Sequence, residues 1–461
     1  MKKYYLRLII IIGMVGNYLI IQAQQRVLDV SDNLYAIGVT PESFGCKGDS
    51  LTDDTENLQK AIDFCKVNCR LLRSSKGKIY AISQPLDLRN PGEMQIDFGG
   101  AEIKAIRKMD YMMNYDNGDD YSTNHNNIIN NLLLDCNHLS GGIHCTAAIK
   151  TSFNFIMIRN CAGKAFEALN GYEIFLTNSH FHCDSDKNTY GIYMKTGDSH
   201  FDNIVIIDAH TAVYQDCSPV NFYDKIHAWL FSHVEGSIFF SVAGLAMLNQ
   251  CYCDTAEKGY YIHRFATLKI TNCQYYNNPD CYDSPNHPVI FAFADENLAK
   301  IANIGCIGSC FNSGGLKVDL CNYQRQRIQF DQCFIDPSIS GNAGRFTVIP
   351  SEGMTFNLAG GEVDDDNLDF LCPDKDKKNH LYVDANVLYY NKKEMIKVGT
   401  IQKEYIPTND AYGLCVVVWE DGQFTQGTVK LCKTDGNVFV NPGYTNGKTI
   451  KQIVIDLNYR H

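Results

Sequence analysis

The sequence predicts an all-β protein whose main domain is a parallel β-solenoid, with one helix near its start. Three observations predict this fold. From about residue 125, short β-rich runs recur, each followed by a polar or glycine-containing turn. No apolar pattern of helical period and length separates these runs. The 461 residues include 27 Tyr and 35 Gly, which is typical of β-structure with many turns.

The first segment of the chain has the pattern of a signal peptide. Lys2, Lys3 and Arg7 precede the apolar run LIIIIGMVGNYLII, and Ala23 is a small residue where cleavage fits. We therefore predict a signal peptide over residues 1–23 and a secreted or periplasmic mature protein. A membrane anchor is the alternative, but glycines interrupt the run. No other run is long and apolar enough to span a bilayer, so we predict no membrane span in the mature protein.

The stretch SFGCKGDSLTDDTENLQKAIDFC predicts a turn followed by a helix. Gly45 and Gly48 fit the turn, and Asp53 with Glu56 three residues later fits an Asp variant of the capping box. Apolar residues then recur on one helical face, at Leu58, Ala61, Ile62 and Cys65.

The repeated runs often end in Asn followed by Cys or Ser, as in IRNC, LTNS and ITNC. The repeat interval is irregular but lies within the roughly 20–50 residues of stacked repeat architectures. Coils of short strands without helices suit a solenoid, in which each coil buries its inward residues against the next. We expect Asn160, Asn178 and Asn272 at bends, with amides bonded to neighbouring coils. The solenoid is predicted over residues 24–362.

The chain has 19 cysteines, an odd number and a high one for an exported protein. A domain of this size builds its own core and does not need a dense disulfide framework. No Cys/His spacing typical of a zinc site occurs. Since many cysteines end short apolar strands, we predict mostly free, buried thiols, with room for a few disulfides.

The end of the chain differs from the repeats. Residues 363–380 are charged and contain a proline, so a linker is predicted there; the acidic run Asp364–Asp366 lacks the spacing of a calcium loop. Residues 381–461 hold alternating or apolar runs separated by DG, NG and NPG turns. This pattern predicts a small C-terminal β-sandwich.

The formal net charge of −11 argues against a nucleic-acid partner, because such a partner requires a basic surface. An anionic sugar stays open as a ligand, since it needs only a local basic patch.

The segment SFGCKGDSLTDDTENLQKAID resembles the opening motif of the pectate-lyase-like right-handed parallel β-helix proteins, which include polygalacturonases, rhamnogalacturonases and phage tailspike depolymerases. The resemblance extends over residues 27–360. It implies that the helix caps the apolar end of the solenoid, that the protein acts on or binds polysaccharide, and that a homotrimer is an available assembly. The Asn-Thr-Asp, Gly-His-Gly and Arg-Ile-Lys motifs of polygalacturonases and the calcium-dependent lyase signatures are absent, so the reaction is not implied.

A polysaccharide lying across coils would meet residues from the middle of the solenoid, where residues 184–264 are richest in acids and histidines. Hydrolysis requires two carboxylates, about 5 Å apart for retention or roughly 6.5–9.5 Å for inversion. Asp208, Asp216 and Glu235 are the candidates for that pair. The candidate sugar platforms are Tyr190, Tyr193, Tyr214 and Trp229.

β-Elimination from a uronic acid is the other mechanism open to the sequence. It requires a cation against the substrate carboxylate and a base for the adjacent carbon. His263 with Arg264, or Lys195 with His210, are the candidates. A calcium ion on Asp184 and Asp186 could replace the cation, but no motif supports it, so no cofactor or metal ligand is predicted. The sequence leaves open whether the protein is an enzyme; the alternative is a non-catalytic glycan-binding or surface structural protein on the same fold.

Overall fold

The computed structural model describes residues 38–68, 71–74, 77–89, 95–116, 126–230 and 236–277, and separate strand segments from there to residue 455. The predicted signal peptide lies outside the described residues. Strands make up 65% of the structure and helix 8%, so the all-β class is confirmed. Among the described residues, no helix has the length and apolar character needed to cross a membrane.

The helix α1 spans Thr55–Asn68 and follows a 3-10 turn at Pro41–Phe44. The strands, numbered along the chain, are β1 (Asp49–Asp53), β2 (Leu72–Arg73), β3 (Ile79–Ile82), β4 (Leu86–Asp87), β5 (Gln95–Asp97), β6 (Glu102–Ala105), β7 (Tyr111–Asp116), β8 (Ile128–Asp135), β9 (Gly141–Thr146), β10 (Ser152–Cys161), β11 (Lys164–Tyr172), β12 (Phe175–Cys183), β13 (Tyr190–Gly197), β14 (Ser199–Ile207), β15 (Thr211–Trp229), β16 (Ile238–Asn249), β17 (Tyr252–Thr255), β18 (Lys258–Thr271), β19 (Gln274–Asn277), β20 (His287–Phe291), β21 (Ile301–Ile307), β22 (Cys310–Ser313), β23 (Leu316–Asp319), β24 (Arg325–Asp331), β25 (Phe334–Asp336), β26 (Phe346–Ile349), β27 (Met354–Ala359), β28 (Leu368–Phe370), β29 (His380–Asp384), β30 (Val387–Asn391), β31 (Ile396–Thr400), β32 (Ala411–Trp419), β33 (Phe424–Leu431), β34 (Asn437–Asn441) and β35 (Ile450–Ile455).

Successive coils pair in parallel to form a β-solenoid of about nine turns, which confirms the predicted parallel β-helix. Three parallel sheets follow one another around each coil. Sheet 1 contains β4, β7, β9, β11, β13, β20, β23, β26, β28 and the first parts of β15, β16 and β18. Sheet 2 contains β2, β5, β21, β24, β27, the first parts of β8, β10, β12 and β14, the middle of β15 and the later parts of β16 and β18. Sheet 3 contains β1, β3, β6, β17, β19, β22, β25 and the ends of β8, β10, β12, β14 and β15.

The interior of the solenoid is one continuous apolar core. Alternate residues of each strand point inward, and Phe166, Phe181, Phe201 and Tyr223 are at most 1% exposed. The rings of Phe201 and Tyr223, from adjacent coils, stack with centroids 5.0 Å apart. Each coil therefore depends on its neighbours to bury its inward side chains.

The bend between sheets 2 and 3 is made by one residue in the left-handed conformation. Asn178, Asn203 and Asn272 have φ angles of 51°, 55° and 51° there, which Asn tolerates better than most residues. The Asn203 amide donates to Asn178 Oδ1 at 2.8 Å, and Asn178 donates to Asn154 Oδ1 at 3.0 Å. The predicted bonding of bend amides to neighbouring coils is therefore confirmed for Asn178. Asn160, with φ 53°, makes the next corner and donates to Asp135 Oδ1 at 2.8 Å.

The side chain of the Cys or Ser after the bend residue accepts a hydrogen bond from a backbone N–H of the preceding coil, which was not predicted from the sequence. The Ile156 N–H donates to Ser179 Oγ of the following coil at 3.2 Å, and the Cys273 N–H donates to Ser309 Oγ at 3.1 Å. The Cys251 N–H donates to Cys273 Sγ at 3.4 Å. Because these N–H groups are buried, each would be costly without its acceptor.

Helix α1 packs against the first coils as predicted, with Leu58, Ala61, Ile62 and Cys65 buried. Asp54 organises its start. The fully buried Asp54 carboxylate accepts the N–H of Lys47 at 2.7 Å and that of Gly48 at 2.9 Å. The Asp54 carbonyl accepts the Leu58 N–H at 2.8 Å, so Asp54 is the N-cap.

The capping box predicted from Asp53 and Glu56 is wrong, because the helix starts one residue later than expected. Asp53 instead accepts the Thr55 N–H at 3.1 Å and the Ser83 hydroxyl at 2.6 Å. The exposed Glu56 lies 3.7 Å from Lys60.

The cysteines whose side chains the structure describes are free thiols, and all of them except Cys310 are buried. The prediction of free, buried cysteines is confirmed for this part of the chain.

The C-terminal strands form antiparallel sheets. One has five strands in the order β31-β34-β33-β32-β35, and β29 and β30 form a two-stranded hairpin. Their packing as a sandwich stays a prediction. Strand β28 pairs in parallel with β26, so the solenoid pairing reaches Phe370, inside the segment predicted as a linker. The domain boundaries also stay predictions.

Replacing Asp54 by Ala is expected to lower the free energy of unfolding by about 3 kcal/mol, because two buried N–H groups lose a charged acceptor. Urea unfolding monitored by circular dichroism measures the change. The exposed Glu56→Ala variant is the matched control and should stay within about 0.5 kcal/mol of the wild type. Equal stability of the two variants would contradict the assignment of Asp54.

Replacing Ser179 by Ala is expected to cost about 1–2 kcal/mol, because the Ile156 N–H loses its acceptor. Ser179→Cys keeps an acceptor of the kind found at Cys273, so it should recover most of the loss in thermal unfolding. If both variants unfold at the same temperature, an acceptor for the Ile156 N–H does not contribute to stability.

Candidate functional site

The outer face of sheet 1 carries a row of polar side chains in register across five coils, which we call the central column. Glu167 belongs to it, because Phe166 and Ala168 on either side point inward and are fully buried. Parallel pairing places one residue per coil in this row: His144, Glu167, Tyr193, Tyr214 and Ser241. Chemistry from five separate segments of sequence therefore meets on one surface.

Three rings of this face stack on one another. Tyr193 and Tyr214 lie 4.6 Å apart at an interplanar angle of 8°, and Tyr214 and His263 lie 4.9 Å apart at 7°. His263 reaches Tyr214 across the small Ser241, whose hydroxyl lies 3.0 Å from His263 Nδ1. Since the ring faces cover each other, Tyr214 presents its edge and hydroxyl to a ligand. The platform role predicted for Tyr214 does not fit this geometry.

Glu167 is the centre of a hydrogen-bonded cluster at one end of the stack. Its carboxylate is 5% exposed and accepts from the Tyr111 hydroxyl at 2.6 Å. His144 Nδ1 lies 2.6 Å from the same oxygen, and the Lys164 ammonium binds the other. Lys164 also lies over the Tyr193 ring, 3.8 Å from its centroid.

These contacts set the charge of Glu167. Burial alone would raise its pKa, but hydrogen bonds from His144, Lys164 and Tyr111 together lower that pKa to about 2. Glu167 is therefore ionised at neutral pH and cannot donate a proton there.

Asp216 and Arg264 form the second charged group on this face. The Arg264 guanidinium binds Asp216 Oδ1 between strands β15 and β18. Burial lowers the pKa of His263 to about 4, against the opposing charge of Asp216. Burial, with the Asp216 charge added, raises the pKa of Tyr214. His263 is consequently a neutral imidazole and Tyr214 a protonated phenol at neutral pH.

Five of the predicted site residues lie together on this face: Lys195, Tyr214, Asp216, His263 and Arg264. Lys195 is exposed, and its ammonium lies 5.7 Å from the Tyr193 ring centroid. In the described part of the chain it has no carboxylate partner.

The other predicted residues lie elsewhere. Asp208 makes the bend after β14 with φ 57°, and its Oδ2 lies 3.2 Å from His182 Nε2. Trp229 ends β15 in sheet 3. His210 precedes β15, with its Nδ1 3.1 Å from the Thr211 hydroxyl; burial, then the charges of Lys258 and Lys187, lower its pKa.

Asp208 and Asp216 lie beyond opposite ends of the run from Thr211 to Val213 in β15 and have separate partners. Asp208 Oδ2 lies 3.2 Å from His182 Nε2, whereas Arg264 binds Asp216, so the geometry does not favour them as a hydrolytic pair. Glu235, the third predicted carboxylate, lies outside the described residues.

Calcium has no supporting geometry at Asp184 and Asp186. Asp184 Oδ1 lies 2.6 Å from His138 Nδ1, and Asp186 Oδ1 accepts the Asn188 N–H at 2.9 Å. Within the ranges that the structure describes, no group of three or more His, Cys, Asp or Glu side chains is placed to hold a metal ion.

Glu167, His144, Lys164 and Tyr111 were not predicted as site residues from the sequence. One signal was present: in KAFEAL a single acid interrupts a run of apolar strand residues. A charged residue at such a position requires partners, and these are Tyr111 and His144 from two other strands and Lys164 from β11 itself.

The charge of Glu167 makes fold stability depend on pH. Because its pKa in the folded protein is about 2, below the ordinary value of 4.5, its ionisation stabilises the fold above pH 4.5. This stabilisation is lost as the pH falls toward 2. Glu167→Gln should cost about 2 kcal/mol at pH 7 and show a smaller loss on acidification. Thermal unfolding across pH 2–7 measures both effects, and Glu56→Gln, at an exposed position, is the control. If the stability of Glu167→Gln and of the wild type changes with pH in the same way, Glu167 is not the group responsible.

No protein-family model matches the chain, and no curated protein matches it in sequence. Several solved structures resemble it. ORF18 of Geobacillus virus E2 is 15% identical with a TM-score of 0.47, over 93% of this chain and 81% of that chain. The surface adhesin PfbA of Streptococcus pneumoniae is 10% identical with a TM-score of 0.44, over 77% of this chain and 99% of that chain.

The endo-xylogalacturonan hydrolase of Aspergillus tubingensis is 14% identical with a TM-score of 0.40, over 72% of this chain and 95% of that chain. These proteins include a hydrolase and an adhesin, and likenesses at this level assign neither activity to this chain. The parallel β-helix predicted from the sequence is confirmed by the strand pairing of this chain itself.

Proposed function

We propose that this protein binds a polysaccharide along the outer face of sheet 1. The observation that carries the proposal is the central column, which presents the partly exposed side chains of His144, Tyr193 and Tyr214 around the buried Glu167 and Ser241. Adjacent coils lie about 4.8 Å apart, so a saccharide chain parallel to the solenoid axis meets polar groups at short, regular intervals. The resemblance of the opening motif to β-helix proteins that act on polysaccharides supports the same ligand class.

The state of the carboxylates supports binding over hydrolysis. A hydrolase requires a protonated acid at the scissile bond. Glu167 is ionised, with a pKa of about 2, and Asp216 is held by Arg264. Groups fixed by such partners are suited to orienting sugar hydroxyls.

β-Elimination is the second candidate function, and the neutral imidazole of His263 favours it over hydrolysis. In that reaction, a base removes the proton next to a uronate carboxylate and the bond to the leaving oxygen breaks. A carbon–carbon double bond then forms, and the leaving oxygen takes up a proton. Lys195 is a cation available to the substrate carboxylate. His263 is the candidate base, and to act it has to turn out of the stack, because its Nε2 is buried and its Nδ1 contacts Ser241.

Export belongs to the proposal, because a polysaccharide-binding protein must reach its ligand. The pattern of residues 1–23 supports cleavage after Ala23. The homotrimer implied by the resemblance stays a prediction.

Removing hydroxyls from the stacked tyrosines tests the binding face. The double variant Tyr193→Phe, Tyr214→Phe keeps both rings, so it should bind polysaccharide roughly 10-fold more weakly with the fold unchanged. Calorimetric titration of the full chain against a panel of neutral and acidic polysaccharides measures this change. Lys60→Ala, on the exposed side of α1, is the control and should bind like the wild type.

The same incubations separate binding from cleavage. An ultraviolet-absorbing unsaturated product shows elimination, reducing ends without that absorbance show hydrolysis, and neither signal leaves binding alone. If no member of a broad panel binds, or if the tyrosine variant binds like the wild type, the proposal fails.

A further inference from the structure

A slot interrupts the outer face of sheet 2, on a different side of the solenoid from the central column. Gly305 in β21 occupies a row in which adjacent coils otherwise place large side chains. The register runs through Phe222, Met247, Lys269, Gly305 and Gln329. Gly305 therefore leaves one gap in this row, between Lys269 and Gln329.

The fold does not require glycine at this position. A Cβ built on Gly305 has no atom within 4 Å, and its φ is not in the left-handed region. Gly244 shows the contrast: its φ is 86°, and a Cβ there would lie 1.6 Å from the Cys217 carbonyl oxygen. Neither backbone conformation nor packing explains Gly305, so the open space itself needs an explanation.

The slot has a volume of about 210 Å³ and is lined by Lys269, Asn303, Ile307 and Gln329, with Leu268 and Ile304. That volume is below the roughly 300–1,000 Å³ typical of pockets for drug-sized ligands, and it suits a single ring. Lys269 is exposed and has no carboxylate partner in the described part of the chain. Ile307 is 45% exposed and supplies an apolar wall.

We propose that this slot binds one acidic sugar unit, a uronate. Lys269 provides a charge-assisted hydrogen bond to its carboxylate. The amides of Asn303 and Gln329 both donate and accept, which matches sugar hydroxyls, and Ile307 packs against the C–H groups of the ring. This inference rests on the proposed function, because it gives the same class of polymer a second contact on another face.

Titration of the full chain with D-glucuronate, followed by ligand-observed NMR, tests the slot, with D-glucose as the uncharged comparison. We expect glucuronate to bind and glucose to bind at least 10-fold more weakly. Gly305→Leu fills the slot, and Lys269→Met removes the charge while keeping the chain length. Each should weaken glucuronate binding at least 10-fold.

The control is Ser152→Leu, which adds the same side chain to the same row near its other end. It should bind glucuronate like the wild type. Circular dichroism checks the fold of each variant, and Lys269→Met tests the slot by itself if Gly305→Leu does not fold. The proposal is overturned if glucose binds as well as glucuronate, or if glucuronate binding survives in Lys269→Met.

The proposal for the slot and the proposal for the central column can be tested separately. The Tyr193→Phe, Tyr214→Phe variant should lose polysaccharide affinity while keeping glucuronate binding. Gly305→Leu should lose glucuronate binding while keeping polysaccharide binding to the central column. Loss of glucuronate binding in the tyrosine variant would place the acidic sugar on sheet 1 and overturn the slot.

Discussion

The structure depends on how the backbone turns between sheets 2 and 3. At this bend one residue adopts the left-handed conformation, as Asn178 and Asn272 do. This conformation interrupts the regular pairing of N–H and carbonyl groups between coils. The interruption is tolerable because the next coil supplies a Ser or Cys acceptor, as Ser179 does for Ile156 and Ser309 for Cys273. A buried N–H without an acceptor would cost roughly 1–3 kcal/mol, and the cost would recur at each such coil. Where the next coil supplies this acceptor, the bend costs less and the two coils stay in register.

Register is also what creates the candidate site. Since each coil stacks on the previous one without slipping, side chains far apart in sequence form rows at a spacing of about 4.8 Å. Glu167, Tyr193 and Tyr214 are neighbours for this reason alone. Once aligned, these side chains contact one another. The Lys164 ammonium that binds Glu167 lies over the Tyr193 ring, and the Tyr214 ring stacks on Tyr193. A regular scaffold thus yields an ordered polar surface on which Glu167 and Asp216 each have a basic partner.

The sequence carried enough information for the coil and too little for the site. The left-handed preference of Asn is local, so Asn160, Asn178 and Asn272 were predicted at bends correctly. The buried face of α1 was also predicted, since Leu58, Ala61, Ile62 and Cys65 follow a local period. Lys164 lies only three residues from Glu167, but Glu167 could not be assigned, because its partners Tyr111 and His144 depend on which residues of different coils pair. The spacing between coils varies, and the β16–β18 register itself shifts between Val242 and Gly244, close to where His263 reaches Tyr214.

The placement of charge explains how a chain with a net charge of −11 could hold an anionic ligand. On the outer face of sheet 1, Glu167 and Asp216 are each bound by a basic side chain, which removes much of their repulsion for an approaching anion. Lys195 there and Lys269 on sheet 2 are exposed, and neither has a carboxylate partner in the described ranges. At an ionic strength of 0.1 M the Debye length is about 10 Å, so distant carboxylates are largely screened while a contact at hydrogen-bond distance is not. Local pairing, rather than net charge, therefore determines which surfaces of this protein accept an acid.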